Sequence, residues 1–232
     1  MKFQPSQAHQ DFEDVRCLGI PLVEKLNAYA QLQRKNQVAV TALYHDLLQR
    51  MASGDAGQNA PDVGDRFEGF HLPNSQGQMV RFDDLVRSGP LVVSFNRGSW
   101  CPYCRLELLA LAEIQPKVKA LGGEIVSIIP ETGKSTQKLR GAYDLPFPVL
   151  SDMDNASALA LGLMIFLGPD LRQALLHYNV DLTALHGNEG LFLPITATYV
   201  IGRDGIVKDA FVDPDFRQRM PPERVIAALK DM

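Results

Sequence analysis

Two periods of apolar spacing divide the chain. Over residues 18–52, Leu22, Leu26, Tyr29, Leu32, Val40, Leu43, Leu47 and Met51 recur at steps of mostly three and four. That spacing puts them on one stripe of an amphipathic helix or helix pair. Pro21 suits a first helical turn. The run MASGDAGQNAPDVGD (51–65) then ends the pattern, and Gly54, Gly57, Pro61 and Gly64 mark it as a linker. Residues 1–59 therefore read as a helical extension with its linker, and 60–232 as the principal domain. The extension has two readings: a helical element packed on its own domain, or an arm for homodimer formation.

From about residue 60 strands and helices alternate. MVRF (79–82) is a short strand, and LVVSF (91–95) is an unbroken apolar run suited to a strand buried on both faces. Leu108, Leu111, Ile114, Val118 and Leu121 follow with helical spacing. Pro116 is expected to kink that helix or end it early, and Gly122 and Gly123 stop it. EIVSII (124–129) is a second buried strand, and FPVL (147–150) a short edge strand. Asp152 or Asp154 caps a helix that runs through Leu161 to Gly162. Residues 169–190 read as an inserted helix and loop. ATYVI (197–201), GRDG and IVKDAFV (206–212) form a hairpin, and PPERVIAALK (221–230) a closing helix. Strand, crossover helix and strand, ending in a hairpin and a helix, give an α/β fold with a mixed sheet.

Composition narrows the function. The hydrophobic fraction of 46% supplies a sizeable core, and a formal net charge of −4 shows no footprint for nucleic acid. The polar opening MKFQPSQAHQDFEDVRC lacks the basic segment and apolar run of a secretory signal. No stretch of eighteen apolar residues suggests a membrane span. The expectation is a cytoplasmic protein. In that compartment a close cysteine pair is a tool or a metal ligand set rather than a staple.

That pair lies in FNRGSWCPYCRLEL (95–108), where Cys101 and Cys104 stand between a buried strand and a helix. Cys101 is expected at the helix start, where outward-pointing amides and the macrodipole favour a thiolate. Arg97 and Arg105 flank it. Cys104 lies one turn on, within disulfide reach. Cys101 is thus the expected exposed nucleophile and Cys104 the shielded resolving partner. Zinc needs about four ligands; no second cysteine pair exists, and His9, His45, His71, His177 and His186 lack ligand spacing. An inert buried pair is the other bland reading. Trp100 either fills space or walls the site from water, Arg97 is either a solvated charge or a thiolate partner, and Cys17 reads as a bystander thiol. Asp152 and Asp154 read as helix-start residues, and Asp213 and Asp215 as turn residues.

RGSWCPYCRLEL resembles the active-site segment of the peroxiredoxin-like branch of the alkyl hydroperoxide reductase and thiol-specific antioxidant superfamily. LPFPVLSDMDNASALALGL (145–163) and LPITATYVIGRDGIVKDAFVDPDFRQRMPPERVIAAL (193–229) are similar to later segments of the same proteins. The resemblance covers roughly residues 60–232. It implies a thioredoxin-like fold with a central mixed sheet flanked by helices. It also implies thiol-dependent reduction of hydroperoxides, with Cys101 attacking the O–O bond and Cys104 closing a disulfide. Thioredoxin or glutathione would then supply electrons. Two places depart from the family pattern. Ser94 and Gly98 stand where peroxiredoxins carry proline and a hydroxyl residue, which leaves Ser99 or Arg97 as substitutes. Thr196 stands where relatives have a cis-proline; it is expected to be trans, either a structural filler or a hydroxyl facing the site.

Two other functions compete. CPYC is shared with glutaredoxins, which points to a thiol–disulfide oxidoreductase. A redox-inert or redox-sensing binding module would instead use the extension and residues 169–190. No glycine-rich dinucleotide fingerprint or P-loop is present, so no cofactor is expected, and no metal.

Overall fold

The protein is described here from a computed structural model that covers residues 7–232. Residues 1–6, the first part of the extension and of the polar opening, lie outside the described residues.

Three helices come first: α1 (Gln7–Arg16), α2 (Leu22–Asn36) and α3 (Val38–Ser53). The break between α2 and α3 is a single residue, Gln37. The stripe read from the sequence is the buried face, with Leu22, Leu26, Tyr29, Val40, Leu47 and Met51 all in the core. α1 was not legible, because its buried residues are Asp11, Phe12 and Val15, only two of them apolar, within a polar stretch. A hairpin of β1 (His71–Pro73) and β2 (Met79–Arg81) and the short α4 (Phe82–Ser88) precede the main sheet. β3 (Leu91–Phe95), α5 (Pro102–Ala120), β4 (Glu124–Ile129), α6 (Gly133–Ala142) and β5 (Val149–Ser151) follow as the alternating unit. α7 (Ala156–Ala160), β6 (Met164–Phe166), α8 (Pro169–His177), α9 (Leu182–His186) and β7 (Phe192–Pro194) form the inserted region. The chain ends with β8 (Ala197–Ile201), β9 (Val207–Val212) and α10 (Pro222–Lys230).

The main sheet has the order β5-β4-β3-β8-β9. β3 pairs β4 in parallel and β8 antiparallel, and β4 pairs β5 in parallel, so the sheet is mixed and β5 is an edge. Side chains alternate across β3. Leu91, Val93 and Phe95 enter the core shared with α1–α3, while Val92 enters the core under α5, α6 and α10. Both faces are covered, which is why LVVSF reads as a continuous apolar run. α1–α3 share one core with β3, β8 and the first turns of α5.

Of the two outcomes expected at Pro116, a kink or an early end, the early end does not occur: the helix runs from Pro102 to Ala120 and includes Pro116. The proline sits in the last turns on the solvent side, between the buried Gln115 and Val118. Packing on both sides of it, through Leu111 and Val118, holds the helical path that Pro116 weakens. Gly122 ends the helix with φ +77°, and the Gly123 amide donates to Val118 O at 2.9 Å. The N-cap of α7 is Asn155 and not Asp152 or Asp154, although Asp152 accepts from the amides of Ser157 and Ala158 at 3.2 and 3.1 Å.

Candidate active site

The loop from β3 to α5 places Cys101 at the N-cap of a 19-residue helix, with Pro102 in the first turn. Parallel β3 and β4 both deliver their carboxyl ends here, the usual place for a site in such a sheet. The Asn96 amide donates to Ile128 O at 2.9 Å and keeps the two emerging loops side by side. Both thiols are free.

Cys101 is not the exposed nucleophile that the sequence led us to expect: only 1% of its surface is accessible, and Cys104 is fully buried. The cause is the extension. Tyr103 Oη donates to Gln33 of α2 at 2.9 Å, Tyr29 packs edge-on against Tyr103, and Tyr44 of α3 packs on Phe216. These contacts lay α2 and α3 over the start of α5. A pocket of about 150 Å3 remains between them, the α8 region and the loop. Its lining includes Tyr29, Gln33, Tyr44, Trp100, Pro102 and Arg105.

Burial by itself would push the Cys101 thiol up. The hydrogen bond from Cys104 and the positive charges of Arg97 and Arg219 outweigh it and hold Cys101 down at about 5. Cys104 moves the opposite way. Burial, its hydrogen bond to Cys101 and the charge on that sulfur drive it well above an ordinary thiol, against the pull of Arg219. The pair is thus divided into a thiolate and a thiol.

Arg97, which the sequence offered as a solvated charge or a thiolate partner, is not solvated. Its guanidinium is buried, and none of its nitrogens has a hydrogen-bond partner of ordinary geometry among the described residues. It lies over three rings instead, 3.9 Å from Phe216, 4.8 Å from Trp100 and 5.1 Å from Tyr44. Trp100 is half-buried with its ring against that guanidinium. Arg105, which flanks the pair in the sequence, lines the pocket. It stacks 3.9 Å from the Phe12 ring and donates to Tyr143 Oη at 3.0 Å.

The second cation, Arg219, was missed. It comes from the segment between β9 and α10, and its Nη2 lies 3.3 Å from Cys104 Sγ. Its Nε lies 3.1 Å from Glu107 Oε2, an ion pair with both partners buried. Glu107 also accepts from Thr198 Oγ1 at 2.8 Å, while burial raises its carboxyl against the pull of Arg219. No local pattern marks Arg219. Glu107 offered a faint signal, a carboxylate within a helical face otherwise buried.

Ser99 and Thr196 fall beside the site. The Ser99 amide and hydroxyl both donate to Glu131 Oε1, at 2.8 and 3.0 Å. Thr196 directly precedes β8, whose Ala197 pairs with Phe95, and is buried with Oγ1 unpartnered among the described residues. All described peptide bonds are trans, that of Thr196 included. Glu131 itself was not singled out from the sequence. Cys17 is exposed on the extension. No cluster of potential metal ligands occurs among the described residues. Nor does any described helix have the length and apolarity to cross a membrane.

The AhpC/TSA family model matches residues 63–210. The chain belongs to the AhpC/TSA family. A Coxiella burnetii protein named as a bcp peroxiredoxin is 28% identical over 104 residues, covering 45% of this chain and 68% of the relative. The thiol-disulfide oxidoreductase ResA of Bacillus cereus is 30% identical over 91 residues, 39% of this chain. The chain spans about half the length of the ResA relatives it matches. The fold is close to that of the peroxidoxin BcpB of Mycobacterium tuberculosis, with a TM-score of 0.58 at 20% identity over 74% of this chain and 97% of that one. The protein is thus an AhpC/TSA member with the thioredoxin-like fold of peroxiredoxins, and α1–α3 precede the matched segment.

Proposed function

We propose that this AhpC/TSA protein is a thiol-dependent peroxidase that cycles through a Cys101–Cys104 disulfide. The observation that carries the reading is the division of the pair. Cys101 is held as a thiolate at a helix start beside Arg97, and Cys104 is kept as a thiol against it. The thiolate attacks one oxygen of the hydroperoxide. The S–O bond forms, the O–O bond breaks, and the product is a sulfenic acid and an alcohol or water. Cys104 then displaces hydroxide from that sulfur, closing the disulfide. An external dithiol, thioredoxin, or two molecules of glutathione return two electrons by exchange. The roles of Arg97, Trp100, Ser99 and Thr196 in positioning the substrate belong to this proposal. So do action in the cytoplasm and a homodimer built through the extension.

The test is peroxide consumption by the reduced protein at neutral pH. The wild type is expected to exceed free thiol by orders of magnitude, and Cys101→Ser to match background. After one equivalent of peroxide, the peptide spanning 101–104 is expected to lose two hydrogens by mass. Background consumption by the wild type removes the proposal.

A second reading, a thiol–disulfide oxidoreductase, draws on the match to ResA and on CPYC. It uses the same nucleophile on a disulfide. Turnover of insulin or a glutathione mixed disulfide, without peroxide turnover, decides for it.

A further inference from the structure

Cleaving an O–O bond leaves an alkoxide or hydroxide that needs a proton, and neither member of the thiol pair supplies one. Cys101 is the thiolate, and the Cys104 proton is held between two sulfurs. The group best placed is Glu131, on the loop that leaves β4 beside the loop that carries Cys101. Glu131 is fully buried. Its Oε1 is fixed by the Ser99 amide and hydroxyl, two residues before the nucleophile. Its Oε2 is buried and has no hydrogen-bond partner among the described residues. A lone buried carboxylate oxygen is costly unless it carries a proton or meets a ligand.

The loop is shaped around this carboxyl. A Cβ built on Gly98 would lie 2.5 Å from Glu131 Oε1 and 2.6 Å from Trp100 Nε1, and Gly98 has φ +143°. The carboxyl thus fills the space that a side chain three residues before Cys101 would need. On its other side the loop is anchored through the Thr132 amide, which donates to Leu185 O of α9 at 3.0 Å. The charged group that faces Glu131 is Cys101. His186 of α9 is buried, and burial holds it down at about 4, so it is neutral here.

We propose that Glu131 is a catalytic residue of this site, the general acid that hands its proton to the oxygen leaving the peroxide. The inference rests on the peroxidase reading. Thiolate, hydroperoxide and carboxylic acid become sulfenic acid, alcohol (water from hydrogen peroxide) and carboxylate; the S–O and O–H bonds form as the O–O bond and the carboxyl O–H break. Burial pushes the Glu131 carboxyl up to about 7, against the hydrogen bonds from Ser99, so the acid form is populated while Cys101 is ionised. The rate therefore rises as Cys101 ionises near pH 5 and falls as Glu131 loses its proton near pH 7.

The test is stopped-flow oxidation of the reduced protein by hydrogen peroxide from pH 5 to 8.5, followed by the fluorescence of Trp100, the one tryptophan of the chain. Wild type is expected to fall at least tenfold above pH 7. Glu131→Gln keeps an acceptor for Ser99 and loses the proton. It is expected to react at least tenfold more slowly at pH 6, with no alkaline fall, while its alkylation by iodoacetamide stays within about threefold of wild type. Unchanged peroxide rates in Glu131→Gln, a wild-type rate that keeps rising past pH 7, or an equal loss in alkylation would overturn the proton-donor role alone. A wild type inert to peroxide would instead remove the peroxidase reading beneath it.

Discussion

Arg219 Nη2 lies 3.3 Å from Cys104 Sγ although 115 residues separate them in the chain. The same guanidinium faces Glu107, so one buried cation serves a thiol and a carboxylate. Burial depresses Arg219's tendency to stay charged, and Cys104 and Glu107 more than restore it. The segment between β9 and α10 is thereby tied to the first turns of α5.

Removing one member of a buried ion pair costs about 3–5 kcal/mol, because the remaining charge has no solvent. Arg219→Met is expected to lose about that much in urea unfolding. Arg219→Met with Glu107→Gln is expected to recover about half of it, since the orphaned carboxylate is gone. Equal losses in both would show that Arg219 acts through packing alone.

Arg97 packs on three rings without a hydrogen bond of ordinary geometry among the described residues, and its charge lowers the Cys101 thiol. Arg97→Met is expected to raise the Cys101 midpoint by about 1–3 units from about 5. Thiolate absorbance at 240 nm, with Cys101→Ser as blank, measures it. An unmoved midpoint would leave Arg97 with no electrostatic role.

The lowered Cys101 value makes stability depend on pH. A thiol that ionises near 5 when folded and near 9 when unfolded gives up its proton on folding between those values. Its contribution is complete above pH 9 and is lost as pH falls through 5. From pH 5 to 8.5, the urea midpoint of the wild type is expected to rise relative to Cys101→Ser. Parallel curves would mean that Cys101 titrates as it does in the unfolded chain.

Gly98→Ala meets both a φ of +143° and the Glu131 carboxyl. It is expected to destabilise the protein by about 1–3 kcal/mol and to slow the reaction with peroxide. A thermal midpoint equal to wild type would show that the loop has another path.

Tyr103→Phe removes the hydrogen bond to Gln33 that joins the extension to α5. A loss of about 1 kcal/mol is expected, together with faster alkylation of Cys101, whose cover loosens. Slower or equal alkylation would show that α2 does not guard the sulfur.

The sequence by itself determined the periodic parts. LVVSF and EIVSII carry the run that a two-faced strand needs, and Leu22 to Met51 carry a helical stripe, so β3, β4, α2 and α3 were legible. Cys101 was placed at a helix start by the change of period around it. Those signals are local: each depends on neighbours within a turn or a strand length. Tertiary structure alone decided the rest. Arg219 and Glu131 come to the pair only because β8 and β9 return beside β3, and because the parallel β4 ends next to it. Cys101 is covered because α2 and α3 fold back over α5. Pro116 stays helical because packing on both sides outweighs its local cost. Charges and cover supplied by distant segments leave no period in the chain, since a buried side chain is chosen by what surrounds it in space.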